Sequence, residues 1–300
     1  MSGTQTITHV GFSDESNWNV GRFRSLALIT LQLQHLQALQ DRIRALLDES
    51  SVSEFEWKKL GGAKERFAAI KLCALAVAEA CAGRLRVDVV VWDIEDSRHK
   101  VRGRDDIENL ARMYYHLFQN VMRARWPNGV IWRFHPDEQT AIDWQIMGDC
   151  LQSVSVSMGV EGSLLNGGRL KLRLRQEFGI KEIAPAISAA APVVQLADLF
   201  AGLAVFSRTK YDEFMKWKTE HGPQLQLWQP SERAQGTISA IARERFLVLE
   251  RFNDRCKAKK LGVSLTTKRG LWTPRPQDPL NFWLYQPQHE LDKAPQRDGG

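Results

Sequence analysis

VDVVVWD, residues 87–93, is a run rich in β-branched residues that ends on a carboxylate. Continuous apolar character of this kind marks a strand covered on both faces, and the reading places it at the centre of a sheet. To its N-terminal side, alternation in Ile7, Val10 and Phe12 predicts a strand running to Asp14. After the turn-prone NWNVG a second strand spans about Phe23–Leu33, which makes an opening hairpin. Leu36, Leu39, Ile43, Leu46 and Leu47 then recur at helical spacing, and a more thoroughly apolar helix at about Lys64–Ala82 leads into VDVVVWD. Beyond it, patterning predicts a helix at about Asp106–Trp126, a strand at Gly129–Phe134, a helix near Ala141–Ser153 and a closing helix at Val193–Phe206. The alternation of strand and helix gives an α/β class with a mixed sheet.

The 300 residues, 43% apolar and 25% charged, have the composition of ordinary soluble proteins and exclude collagen, coiled-coil, disulfide-scaffold and wholly disordered classes. No uncharged apolar run reaches the ~18 residues of a membrane span. MSGTQTITHV has neither a basic flank nor an apolar core, so the expectation is a cytoplasmic, non-membrane protein. Cys73, Cys81, Cys150 and Cys256 form no CxxC pair and read as reduced, buried thiols.

Charge divides the chain. Residues 1–206 carry 24 Lys+Arg and 24 Asp+Glu, whereas residues 207–300 carry 17 and 11, so the formal +6 lies in the last third. A helix over about Gly236–Lys260 has an apolar stripe at Ala242, Phe246, Leu249, Phe252 and Cys256 and a basic remainder. TPRPQDP and the aromatic NFWLY follow and read as an appended lobe or packing arm, and the polar tail from about Gln288 is expected to be disordered. RLKLRLR at 169–175 is either a cationic rail for phosphates or, by the plainer reading, an edge strand whose cations discourage pairing.

Side chains alternate along a strand, so Val10, Phe12 and Asp14 share one face, as do Val87, Val89, Val91 and Asp93. A third row, Ile131, Arg133, His135 and Asp137, also ends on an aspartate, but it is a weaker instance, since the residues before Asp137 are polar and Asp137 lies beyond the expected strand end. Ligands of open α/β sheets collect at the carboxyl ends of strands, where all three aspartates fall if the strands are parallel or suitably staggered. In VVQLADLFAGLAVF only Gln195 and Asp198 are polar, and Val194, Ala201, Gly202 and Val205 surround Asp198 on the helix. An isolated carboxylate there costs on the order of several kcal/mol unless it is protonated, paired or metal-bound. One such aspartate suggests an ion pair or capping contact; several at strand ends suit Mg²⁺ or Mn²⁺, which take hard oxygen ligands. Gly202 and Ala201 are expected to let the helix approach the sheet closely.

FSDES near the start, FEWKKL at 55–60, VVVWD, a strand running into HPDEQ, and VVQLADLFAG resemble, in order and spacing, the bacterial family called domain of unknown function 3800 (DUF3800). That family is similar to the ribonuclease H-like superfamily. The resemblance spans about residues 8–206, with looser similarity through NFWLYQPQ. It implies a ribonuclease H-like mixed β-sheet flanked by helices over 1–212, a basic C-terminal helical extension over 213–287 and a tail over 288–300. It matches Asp14 to the first-strand aspartate, Asp198 to the closing-helix aspartate, Asp137 to the carboxylate after the later strand, and Glu56 with Lys58 to a short Glu-x-Lys element. Asp93 matches a further strand-end aspartate and competes with Asp137 as third ligand. The family commonly has glycine after DES; here Asn17 follows, a residue that tolerates the left-handed conformation.

What the resemblance implies chemically is phosphodiester hydrolysis or transfer by two divalent ions roughly 4 Å apart. Asp14 would bridge them, Asp137 and Asp198 would complete the shell, and Glu56 would be a ligand or orient water. Lys58 would contact the scissile phosphate or lower a bound water's pKa; equally, it reads as a surface lysine. Glu15 points away from Asp14 and reads as a cap or surface ion-pair member. His135 and His99 read as hydrogen-bonded structural residues rather than bases. The basic last third suits nucleic acid, DNA or RNA, and Trp217, Trp228, Trp272, Phe282 and Trp283 either stack on unpaired bases or, for most, pack the lobe. Alternatives are a non-catalytic nucleic-acid-binding or assembly module and a hydrolase of small phosphate esters. GGAKERF lacks the GK[ST] of a phosphate loop, and neither GxSxG nor HExxH occurs.

Overall fold

The computed structural model describes residues 6–96, 106–138, 140, 142, 144, 178–221 and 238–286. Among these, six strands form one mixed sheet in the order β5-β4-β1-β2-β3-β6: β1 His9–Ser16, β2 Phe23–Gln32, β3 Leu85–Asp93, β4 Trp132–Pro136, β5 Ile180–Ile183 and β6 Leu280–Leu284. β2 is antiparallel to β1 and β3; the β1–β4, β4–β5 and β3–β6 pairs are parallel. Five strands therefore point one way and end along one edge. The α/β class with helices flanking a mixed sheet is what patterning predicts. VDVVVWD is interior and fully covered but not central, because β6 alone lies beyond it.

Helices α1 (Leu36–Glu49), α2 (Ala63–Cys81), α3 (Asp106–Leu117), α4 (Val193–Thr209), α5 (Tyr211–His221) and α6 (Ala240–Ala258) follow in chain order. The period-2 rows sort the sheet into two cores. Val10, Phe12, Ala27, Ile29, Val87, Val89 and Val91 face α1, α2, α4 and α6, whereas Leu26, Leu28, Val90, Trp132 and Phe134 face α3 and its π-helical continuation Phe118–Arg123. α4 is buried almost throughout and lies against β1 and β2, where the Ser25 hydroxyl donates to Ala201 O at 2.8 Å.

The C-terminal third departs from expectation. β6, which contains NFWL, is the sheet's edge strand beside β3, and Phe246, Phe252, Leu280 and Phe282 are wholly buried in the same core as α4. These residues complete the sheet and do not form a separate lobe. Burial of Trp217 and Phe282 gives them packing roles, and Arg269 covers the ring of Trp272. Cys73 and Cys256 are buried thiols, but Cys81 is exposed. The expected helix near Ala141–Ser153 falls almost wholly outside the described residues, and RLKLRLR, His99, Cys150, Trp228 and the tail from Gln288 lie outside them entirely. No helix among the described residues is long and apolar enough to cross a membrane.

Candidate functional site

Pairing register decides which strand-end carboxylates meet. Ser13 stands beside Pro136 in the parallel β1–β4 ladder, and the Asp137 N–H donates to Ser13 O at 2.9 Å, so Asp137 comes level with Asp14 on the same face. Asp14 is also level with Ala27, and Ala27 with Val89. Asp93 thus lies four residues further along a strand two places away, roughly 13 Å along the strand direction at ~3.3 Å per residue. There Arg22 holds it through Nε and Nη2, the latter at 2.8 Å, and Glu95 N–H donates to it at 3.0 Å. The rivalry for the third position therefore goes to Asp137, and Asp93 is corrected to a structural ion-pair residue. Asp93→Asn is expected to cost about 1–2 kcal/mol in urea unfolding, because a half-exposed arginine loses a well-made partner, and to leave any cation-dependent cleavage unchanged.

Asp198 reaches the same place from α4. Its Oδ2 accepts the Trp57 N–H at 2.5 Å, and one turn earlier Gln195 Oε1 accepts the Phe55 N–H at 2.8 Å. The polar pair of an otherwise apolar helix therefore holds the FEWKKL loop. Trp57 lies on Gly202, where an added Cβ would meet its ring at 2.1 Å. Gly202 thus accommodates the loop, and approach to the sheet is made one residue earlier, at Ala201.

The same loop carries Glu56 and Lys58. Lys58 Nζ is 3.0 Å from Glu56, which also pairs with Lys59. Lys59, and then Lys58, hold the Glu56 carboxyl below its usual range. Lys58 is largely exposed, its pKa raised first by its hydrogen bond to Glu56 and in smaller part by Asp198 and Asp14.

Folding concentrates negative charge here. Burial, and then the charges of Asp198, Glu15 and Asp137, push Asp14 well above the ordinary carboxylate range. Burial chiefly, with Glu56 and Asp137, raises Asp198 to about 7, against the lowering effects of the Trp57 N–H and Lys58. Neighbouring carboxylates outweigh cations, the reverse of a satisfied ion pair. The donor set, Asp14, Asp137 and Asp198, has the chemistry that suits a hard divalent cation. Its spacing falls short of a coordination shell: among the described residues, no three His, Cys, Asp or Glu side chains are placed to hold a metal ion. Of the candidate ligands, Asp14, Asp137 and Asp198 lie in one electrostatic neighbourhood, and Asp93 lies apart on Arg22.

Two residues that sequence reasoning misplaced or missed belong to this site. Glu15 is half-buried and is not a surface ion-pair member: it accepts from Tyr114 Oη and from Thr140 Oγ1, each at 2.6 Å, with its pKa raised by burial. Arg245 of α6 donates to the carbonyls of Trp57 at 3.0 Å, Lys58 at 3.2 Å and Leu60 at 3.2 Å, and its guanidinium covers the Trp57 ring at 5.0 Å. No local signal distinguishes it from the other cations of its helix. His135 stacks on Phe12 and its Nδ1 lies 2.8 Å from Ala184 O, the structural role expected of it. Asn17 adopts a φ of 58°, the left-handed conformation the DES turn requires.

Two curated proteins cover nearly this whole chain. The chain is 40% identical to the uncharacterized protein ORF2′ of Methanothermobacter thermautotrophicus over 96% of its length and 97% of that protein's. It is 38% identical to the uncharacterized protein ORF2 of the same organism, again over 96% and 97%. The chain belongs to the ORF2/ORF2′ family. No protein-family model matches it. Relatedness of this extent carries the fold into the family, including the C-terminal strand and α6, which fall within the aligned length.

Proposed function

We propose that this member of the ORF2/ORF2′ family is a divalent-metal-dependent nuclease or phosphotransferase acting on phosphodiester bonds of DNA or RNA, of DUF3800 and ribonuclease H-like type. One observation carries the reading: at the carboxyl edge of the sheet the charge of Asp198, from an element distant in sequence, raises the pKa of Asp14, and the charge of Asp137 raises both. Carboxylates that repel one another are stabilised by a cation, and they repel a phosphodiester until one is bound. Mg²⁺ or Mn²⁺ held by Asp14, Asp198 and Asp137 would supply charge neutralisation and an activated water. The chain's own residues do the rest. Lys58 offers an exposed ammonium to a phosphate oxygen, Glu56 holds that lysine to the loop, and Gln195 with Arg245 fixes the loop against α4.

Purified protein incubated with labelled single-stranded and duplex DNA and RNA is expected to yield product with Mg²⁺ or Mn²⁺ and none with chelator. Cleavage that survives both Asp14→Ala and Asp198→Ala would remove the proposal. The lack of a preformed three-ligand cluster among the described residues favours a second reading, a non-catalytic nucleic-acid-binding or assembly module. It expects salt-sensitive binding, no product, and no rise in melting temperature with Mn²⁺.

A further inference from the structure

A cleft of about 510 Å³ opens beside Asp198 and Glu15. Its lining mixes cationic and apolar side chains. Cations line it, Lys58, Lys210 and Arg245, the last lying over the Trp57 ring. Apolar residues line it too, Val205, Gly202, Trp57 and Ile241, the last a large aliphatic side chain left 50% exposed inside a concavity. Of the cations, Lys58 and Lys210 are tied only to solvent-exposed or partly exposed carboxylates, Glu56 and Glu213, pairs that exchange at little cost for a phosphate.

We infer that this cleft takes one unpaired nucleotide of a single-stranded polynucleotide, whose adjoining phosphodiester then lies over Asp198 and Asp14; the inference rests on the nuclease reading. The space is that of a small-ligand site and admits a base and its sugar. A paired duplex, whose major groove alone is ~12 Å wide, does not enter it. Bringing a phosphodiester to Asp198 thus requires a strand that is already unpaired, or an end that frays. Apolar side chains for the base beside ammonium and guanidinium groups for the phosphates are the means by which single strands are held without base reading. Val205 and Ile241 offer no hydrogen-bonding group, so preference among the four bases is weak.

The test is fluorescence anisotropy with Ca²⁺ in place of Mg²⁺ or Mn²⁺, with labelled oligo(dT), a blunt duplex of equal length, and unlabelled dTMP as competitor. Oligo(dT) is expected to bind about 10-fold more tightly than the duplex, and Ile241→Glu to remove a similar factor from oligo(dT) alone, the effect of one lost base contact. Because Ile241 is half exposed, its variant is expected to melt with the wild type. Lys210→Gln is expected to reduce the salt slope of oligo(dT) binding by about 0.7. Equal affinity for the two oligonucleotides, an Ile241→Glu protein that binds as wild type, or dTMP competing as well as oligo(dT) would each overturn the inference. Failure to cleave any nucleic acid, with strand preference and the Ile241 effect intact, would sink the nuclease reading alone; cleavage lost in Asp14→Ala but shown equally on duplex would sink this inference alone.

Discussion

Asp198→Asn is expected to make the chelator-treated protein more stable above neutral pH while it removes cation-dependent cleavage. The sign follows from linkage. The Asp198 carboxyl titrates near 7 in the folded chain and near its ordinary 3.8 when unfolded, so between those values the folded state holds the extra proton. Stability attached to this group is full below the lower value and is lost as pH rises through about 7. At pH 8 the wild type bears a half-buried charge among like charges, a penalty on the order of 1–3 kcal/mol once solvent screening at the cleft is allowed for. Asparagine has the same shape, carries no charge, and retains an oxygen for the Trp57 N–H. Calorimetry in chelator is expected to show nearly equal melting temperatures at acid pH and a variant several degrees higher at pH 8. Mn²⁺ is expected to raise the wild type and leave the variant unmoved. A variant less stable at pH 8 would mean that Asp198 acts chiefly as an acceptor for the loop.

Gly202→Ala is expected to destabilise, although alanine is the better helix former. The propensity gain is ~1 kcal/mol. Against it, the new methyl would lie 2.1, 2.2 and 2.6 Å from three ring atoms of Trp57. That indole is nearly buried, its backbone N–H is bound to Asp198, and the Arg245 guanidinium covers its ring, so it has nowhere to rotate. Overpacking of this kind costs about 1–3 kcal/mol or more. The net expectation is a lower urea midpoint at unchanged slope. Displacement of the loop carries Glu56 and Lys58 away from Asp198, and a shift of ~1 Å in positioning groups costs on the order of 10²-fold in rate. Trp57→Leu in the same chain is expected to recover part of the stability by removing the clashing ring but none of the activity, since loop and methyl are in contact and do not behave additively.

The strand rows were legible because side chains alternate with a period of two whatever the surroundings. Asp14, Asp93 and Asp137 do all project to the α4 face, as Val89, Phe12 and His135 before them indicate. Which of them meet was not legible, since alternation carries no register: Asp93 satisfies the pattern better than Asp137, and only ladder alignment decides for Asp137. Glu15 was misplaced for a related reason. The pattern puts it opposite Asp14 but is silent on whether that side meets water, and Tyr114 of α3 covers it. NFWLY was read as an arm because its partner strand β3 lies almost two hundred residues earlier in the chain.

Local chemistry by itself determined the α/β class, the extents of most strands and helices, the common face of the strand-end aspartates and the unfavourable setting of Asp198, because propensity and periodicity act between residues close in the chain. Only tertiary structure decided that Asp14, Asp137 and Asp198 share one electrostatic environment, that Asp93 belongs to Arg22, and that Arg245 of the basic last third clamps the loop bearing Glu56 and Lys58. Those outcomes depend on ladder register and on helix packing between distant segments, which set distances to within an ångström, whereas sequence spacing constrains them only by the reach of the chain.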